Sequence, residues 1–347
     1  MRRLIHNQWL YVGLIVLVGV LYARVALQGL GPMPHHEPKP QPAAPLSWTE
    51  GPSDAELFRQ VISGERPGAS ALLLFGLVML GMGVGGLGLT TWGLATGQFT
   101  ATWRYAASRP PAWNFGDVGR ILLLTVGIAM LMPFVRLAAA AINPVWSLDD
   151  HVWLTASMLL LDVFVALAIC TFALNKSGRL SDALGLSWDR AGAVIREALR
   201  DYVALFPWLF LLLLLALGAS RALGLEPPVE PIHQLLFQEQ RPVVVGMTVM
   251  LAGVVGPLAE ELFFRGVLYG ALRQRNSRIV SMLISGAVFA LVHTNHVGFL
   301  PILALGSLLA FVYERTGSLL APIAIHIVHN SLLLGLAMVV RSIGPLG

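Results

Sequence analysis

Gly256-Pro257-Leu258-Ala259-Glu260-Glu261-Leu262-Phe263-Phe264-Arg265-Gly266 sets two adjacent carboxylates inside a run that is otherwise almost wholly apolar from Val243 to Phe264. A run of about 20 apolar residues is long enough to cross the hydrocarbon layer. Ionisable groups within such a run are costly and by default mark function. The rest of the chain reads the same way. Of 347 residues, 56% are hydrophobic and 12% charged, about half the charge of a soluble domain, and the mean hydropathy is +0.72. The expectation is an all-α polytopic membrane bundle of about nine transmembrane spans, eight plus an N-terminal anchor.

The single cysteine, Cys170, excludes an internal disulfide framework and a cysteine-based zinc site. The arginines stand at the ends of apolar runs rather than on one face, so no nucleic-acid partner is expected. The partners implied by composition are the lipid bilayer and whatever the embedded acids act on.

In order along the chain, residues 1–28 carry Arg2 and Arg3 ahead of an apolar run from Trp9 to Gln28. No small-x-small cleavage site follows Tyr22, so an uncleaved membrane anchor is expected; if the run is removed, eight spans remain. Residues 29–68 are rich in proline and read as an extended extracytoplasmic segment. Residues 69–220 form accessory spans at about 69–96, 121–142, 152–174 and 202–220, with a cytosolic-side amphipathic helix at 186–201 that starts at Ser187. In the first of these spans Gly81, Gly85 and Gly88 provide a small-residue face for close helix packing. Residues 243–347 form the catalytic core, with spans at about 243–274, 279–293, 299–313 and 319–340. Arg136 and Asp162 are equidistant from Asp149, so an antiparallel hairpin sets them at one depth and predicts a structural ion pair. Arginine and lysine gather on alternate segments (Arg2, Arg104, Lys176, Arg196 and Arg273 among them), which predicts N-terminus in and C-terminus out.

Three polar clusters lie in the last four spans: Glu260, Glu261 and Arg265; Phe289 and His293; His326, His329 and Asn330. Glu260 and His293 are each about 16 residues from the turn at Asn276-Ser277, hence about 24 Å up their helices. From Gly317, Asn330 is about 20 Å up and His326 about 13 Å. His326 and Asn330, four apart, share a face, whereas His329 lies on a different one. Pro257 bends the span that carries Glu260 and loosens the count. A carboxylate withdrawn from water is a stronger base. With a histidine beside it, it can deprotonate a water, while a second histidine and an amide donate to a developing oxyanion. Glu261 and Arg265, four apart, form a clamp that keeps Glu260 inward, and Phe289 packs against His293.

Glu260-Glu261-x-x-x-Arg265, Phe289-x-x-x-His293 and His326-x-x-x-Asn330, in that order on successive late spans, resemble the CPBP family of intramembrane proteases. That family includes CAAX prenyl endopeptidases and bacteriocin-processing or immunity-type membrane proteins. The stretch Tyr313-Glu314-Arg315-Thr316-Gly317-Ser318 is also similar, and the resemblance covers about Val243 to Leu333. It implies an endopeptidase of the bacterial cytoplasmic membrane that acts on a membrane-associated peptide or protein substrate. Glu260 and His293 would activate water, and His326 and Asn330 would hold the oxyanion. Two cofactor readings stay open: Glu260, His293 and His326 as the ligands of one catalytic zinc ion, or a glutamate mechanism with no metal. Two other functions stay open as well, a catalytically silent scaffold or immunity protein and a transporter with a midplane polar site.

Overall fold

The computed structural model describes residues 59, 63, 68–97, 113–142, 149–224, 231–293, 295 and 297–343. The expected anchor at 1–28, nearly all of the proline-rich segment, Arg104, Arg109 and His296 lie outside the described residues. Every described element is a helix. They are α1 (Ala69–Ala95), α2 (Phe115–Ile142), α3 (Asp150–Ser177), α4 (Leu180–Leu184), α5 (Ala191–Ala222), α6 (Pro231–Gln238), α7 (Pro242–Arg273), α8 (Arg278–Val292), α9 (Phe299–Thr316) and α10 (Leu320–Ile343). Seven of these, α1, α2, α3, α5, α7, α9 and α10, are long and apolar enough to cross a membrane. The eighth apolar helix, α8, has 15 residues. The chain is an integral membrane protein of the helical-bundle class.

The ends follow local chemistry. Asp149 caps α3, its side chain accepting from the Val152 N–H at 3.0 Å. Ser277 caps α8 in the same way, accepting from Val280 N at 3.4 Å, so the short turn expected at Asn276-Ser277 is present. Gly185 ends α4 at φ 71°, and a Cβ there would stand 2.2 Å from the Gly317 carbonyl oxygen. Neither the backbone angle nor the space accepts a side chain.

α7 is the central helix. In its apolar window 44% of residues are buried inside the protein, against 6% for α1, so α7 is the most enclosed span and α1 lies at the edge of the bundle. One core joins Trp113, Ile169, Phe172 and Leu184 to Phe264, Val267, Phe289 and Leu319 around α7. A second joins Tyr202 and Leu209 of α5 to Leu305, Leu309 and Val312 of α9 and Ile325 of α10. α7 is not a uniform α-helix: Leu251–Val255 and Leu262–Tyr269 are π-helical, and between them stands the α-helical turn Gly256–Glu261. Pro257 removes one backbone donor and crowds the preceding turn, and wide turns of this kind gather at functional sites.

Three expectations are corrected. The amphipathic stretch expected as a separate surface helix at 186–201 is continuous with the following span: α5 runs unbroken from Ala191 to Ala222, because no residue between Arg200 and Tyr202 interrupts the helix. Ser187 therefore lies before the helix and Arg190 occupies its cap position. Gly81, Gly85 and Gly88 face open space. It is Gly86 that meets α5, where a Cβ would fall 2.2 Å from the Val203 carbonyl oxygen. Arg136 pairs with Asp150 at 2.8 Å and stacks over Trp153, not with Asp162. Equal depth does not mean facing sides: the long arginine side chain reaches towards the membrane surface, while Asp162 faces α7.

Candidate active site

The two carboxylates of α7 go separate ways. Glu261 and Arg265 are both fully buried and joined by a 2.6 Å ion pair across one helical turn. The Glu261 Oε1 that holds Arg265 also accepts from His326 Nδ1 at 2.8 Å. Glu260, one residue earlier and so about 100° around the helix, keeps a side chain 37% exposed. Its Oε2 lies 3.7 Å from His326 Nε2 and makes no hydrogen bond among the described residues. His326 is thus held between the two acids: Nδ1–H donates to Glu261, and Nε2 faces Glu260.

Arg265 is held through both terminal nitrogens and one face of its guanidinium. Its guanidinium lies 4.5 Å over the Phe289 ring, a cation–π contact, and its Nη2 donates to the Gly306 carbonyl at 3.1 Å. Gly306 and Gly286 let α8 and α9 approach closely: a Cβ on Gly306 would stand 3.0 Å from Gly286 Cα and 3.1 Å from the Phe289 ring. Phe289 then links the histidines. Its ring centroid is 4.6 Å from that of His293 and 5.6 Å from that of His326. His293, the C-cap of α8, bonds through Nδ1 to the Phe289 carbonyl at 2.7 Å. With Nδ1–H donated there, Nε2 is left as an acceptor. Asn330 Nδ2 donates to the Ala252 carbonyl at 2.9 Å, on the first π-helical stretch of α7. His329 turns away from this group and bonds to Tyr202 of α5 at 3.0 Å.

Of the four residues expected to converge, Glu260 and His326 meet, with Glu261 and Arg265 beside them, while His293 lies against Phe289 and Asn330 bonds to Ala252. Among the described residues no hydrogen bond or ion pair joins His293 to Glu260. Among the described residues no three histidine, cysteine or acidic side chains are arranged to hold a metal ion. Nε2 of each histidine is left as a ligand atom, but Glu260, His293 and His326 do not fit a metal ion as placed, because the three side chains do not converge. The sequence did not reveal the Glu261–His326 bond or the role of Phe289 as the floor under Arg265. Both are contacts between helices, for which spacing along one helix carries no signal. The glycines Gly286 and Gly306 are the trace they leave in the sequence.

The class that fold and site define is a membrane-embedded helical bundle whose central helix carries paired acids facing a histidine. Residues 242–332, about a quarter of the chain, match the family model Type II CAAX prenyl endopeptidase Rce1-like. Over similar stretches the chain is 33% identical to YdiL of Bacillus subtilis (25% of this chain, 36% of that protein). It is 34% identical to the UPF0177 protein YxdF of Lactococcus lactis (22% and 42%) and 35% identical to the membrane-embedded CAAX protease MroQ of Staphylococcus aureus (24% and 36%). The matched stretch thus spans between about a third and two fifths of these relatives. No solved structure matches the chain.

Proposed function

We propose that this protein is an intramembrane endopeptidase in which Glu260 takes the proton of a water that attacks a peptide carbonyl of a membrane-associated substrate. The observation that carries this reading is the His326 imidazole held by buried Glu261 with its second nitrogen turned to half-exposed Glu260, within the stretch that matches the Rce1-like family. Glu260 keeps an unbonded carboxylate oxygen beside that nitrogen, buried on a side chain that is otherwise partly exposed, a group placed to act as a general base. His293 assists, its Nε2 lone pair left free to accept from the same water. His326 stabilises the oxyanion through Nε2, which donates when it bears a hydrogen. Asn330 supplies a further donor from the amide N–H that Ala252 does not take. The proton held on Glu260 then passes to the leaving amine, so water is split across the peptide bond with no covalent intermediate.

The cytosolic face on this reading is the rim that carries Arg273, Arg278, Lys176 and Arg315, which leaves the N-terminus in and the C-terminus out. The substrate reaches Glu260 from within the membrane, and the name of the staphylococcal relative makes a CAAX peptide the first probe. The test is cleavage by the purified chain in lipid nanodiscs of a farnesylated CAAX reporter peptide and of the same peptide without the lipid, each with and without a chelator. Glu260→Gln is expected to abolish product while the thermal transition stays within about 2 °C, a surface-scale change. Proteolysis retained by pure Glu260→Gln protein refutes the assignment, and loss of cleavage on chelation refutes the metal-free form of it.

A further inference from the structure

Asp162 lies near the middle of α3, and neither the ion pairs nor the site described above use it. It is half-buried. Among the described residues no hydrogen-bond donor and no cation meets it, and Arg136 pairs with Asp150. A carboxyl kept within a membrane span without a counter-ion is costly and points to function.

What it faces is the catalytic turn of α7. α3 packs on Gly256–Glu261, and a Cβ on Gly256 would stand 3.5 Å from Asp162 Oδ2, in ordinary van der Waals contact, so the Asp162 carboxyl lies against this turn. Glu260 lies four residues after Gly256, on the same helical face, and the two carboxyls are within electrostatic reach of each other. On its other side Glu260 has His326 Nε2 at 3.7 Å and the charge of Arg265. A carboxyl that served packing alone would not be set against another carboxyl, since like charges in a low dielectric repel. Two such groups are compatible when a hydrogen, or a water, is held between them.

We propose that Asp162 is a positioning residue of this site: it holds the Glu260 carboxyl on its His326 side and retains the reacting water between the two acids. The inference rests on the proteolytic reading given above. It assigns a part in the site to α3, which lies outside the stretch that matches the family.

The full chain in lipid nanodiscs carries the test, as wild type, Asp162→Asn, Asp162→Ala and Glu260→Gln. Two measurements are made: kcat and KM on the farnesylated CAAX peptide, and labelling of each carboxyl by dicyclohexylcarbodiimide, which attacks carboxyls in apolar surroundings. Asp162→Ala is expected to lower kcat about 10²-fold, the scale of a misplaced reacting group, with KM within about twofold. Asp162→Asn, which keeps the shape and a hydrogen-bonding group, is expected to recover part of that loss. Labelling of Glu260 changes severalfold when Asp162 is replaced, and labelling of Asp162 changes severalfold in Glu260→Gln. Wild-type kcat in Asp162→Ala, or labelling of each carboxyl that ignores the other, overturns the proposal. If the wild-type chain cleaves no peptide while the two labels remain coupled, the carboxyl pair stands and the proteolytic reading falls.

Discussion

Arg265 is the residue on which the site's geometry depends, and its burial makes the dependence measurable. A guanidinium with no exposed surface is tolerated because Glu261, the Phe289 ring and the Gly306 carbonyl together replace its water. Arg265→Met leaves Glu261 buried with no cation, a loss that costs about 3–5 kcal/mol. The expected result is a large drop in the unfolding midpoint in detergent. Adding Glu261→Gln removes the stranded charge. The double variant is expected to regain most of the stability, since replacing both partners of a buried pair is often close to neutral. Activity is expected to stay lost, because His326 no longer has a carboxylate at Nδ1. A double variant as unstable as the single one would show that the pair does not act as a unit.

At the scale of elements, the apolar spans were plain in the sequence and the faces they use were not. Hydropathy identifies α2, α3, α7 and α10 because lipid demands about 20 apolar residues whatever the partner helix. Helix rotation depends on packing, and in α1 nearly every position is apolar, so no stripe singles out Gly86 from Gly81, Gly85 and Gly88. Depth counting placed Arg136 and Asp162 on one level but could not see that they point to different neighbours. For the site, the three short motifs pointed to one region of the last helices, but counting residues along each helix could not see that His326 meets Glu260 and Glu261 while His293 bonds within its own helix. The packing can be tested by single alanines. Gly86→Ala must displace the Val203 backbone and is expected to cost about 1–3 kcal/mol, whereas Gly85→Ala, which meets nothing within 4 Å, stays within about 0.5 kcal/mol. Gly306→Ala presses on Gly286 and on the Phe289 ring. Its activity is expected to fall further than its stability, because the Phe289 ring carries Arg265 and the α9 carbonyl receives it. Equal thermal shifts for Gly86→Ala and Gly85→Ala would contradict the α1–α5 contact.

Across the whole molecule, polar side chains form two rims with the apolar belt between them. On one rim Lys176 meets Asp117 at 2.7 Å, Arg315 meets Asp201 at 2.6 Å, and Arg278 meets Glu314 at 3.0 Å. On the other, Arg241 joins Asp149 to Glu239, and Arg341 donates to the carbonyls of Leu236 and Glu239. This second rim ties the start of α3, the start of α7 and the end of α10 together, the three helices that surround Glu260. The alternation of basic and acidic segments hinted at the rims; their pairings depend on helix order around the bundle and had no trace in the sequence. Its chemistry makes the clamp sensitive to acid. Hydrogen bonding to the Arg241 guanidinium holds the Asp149 carboxyl down at about 2, from an ordinary 3.8, and holds Glu239 well below the usual carboxylate range. Both groups are more acidic folded than unfolded, so their contribution is complete above about pH 5 and drains away as the pH falls towards 2. Arg241→Met removes that contribution. The expected signature is a thermal midpoint below that of the wild type at pH 7, with the difference between the two proteins shrinking steadily as the pH is lowered from 5 and nearly gone by the point at which Asp149 is protonated in the wild type. A difference that stays constant over that range would mean that Arg241 holds the helix ends by packing rather than by charge. The rim would then be a passive boundary, and not the fastening that keeps α3 and α10 against the catalytic turn of α7.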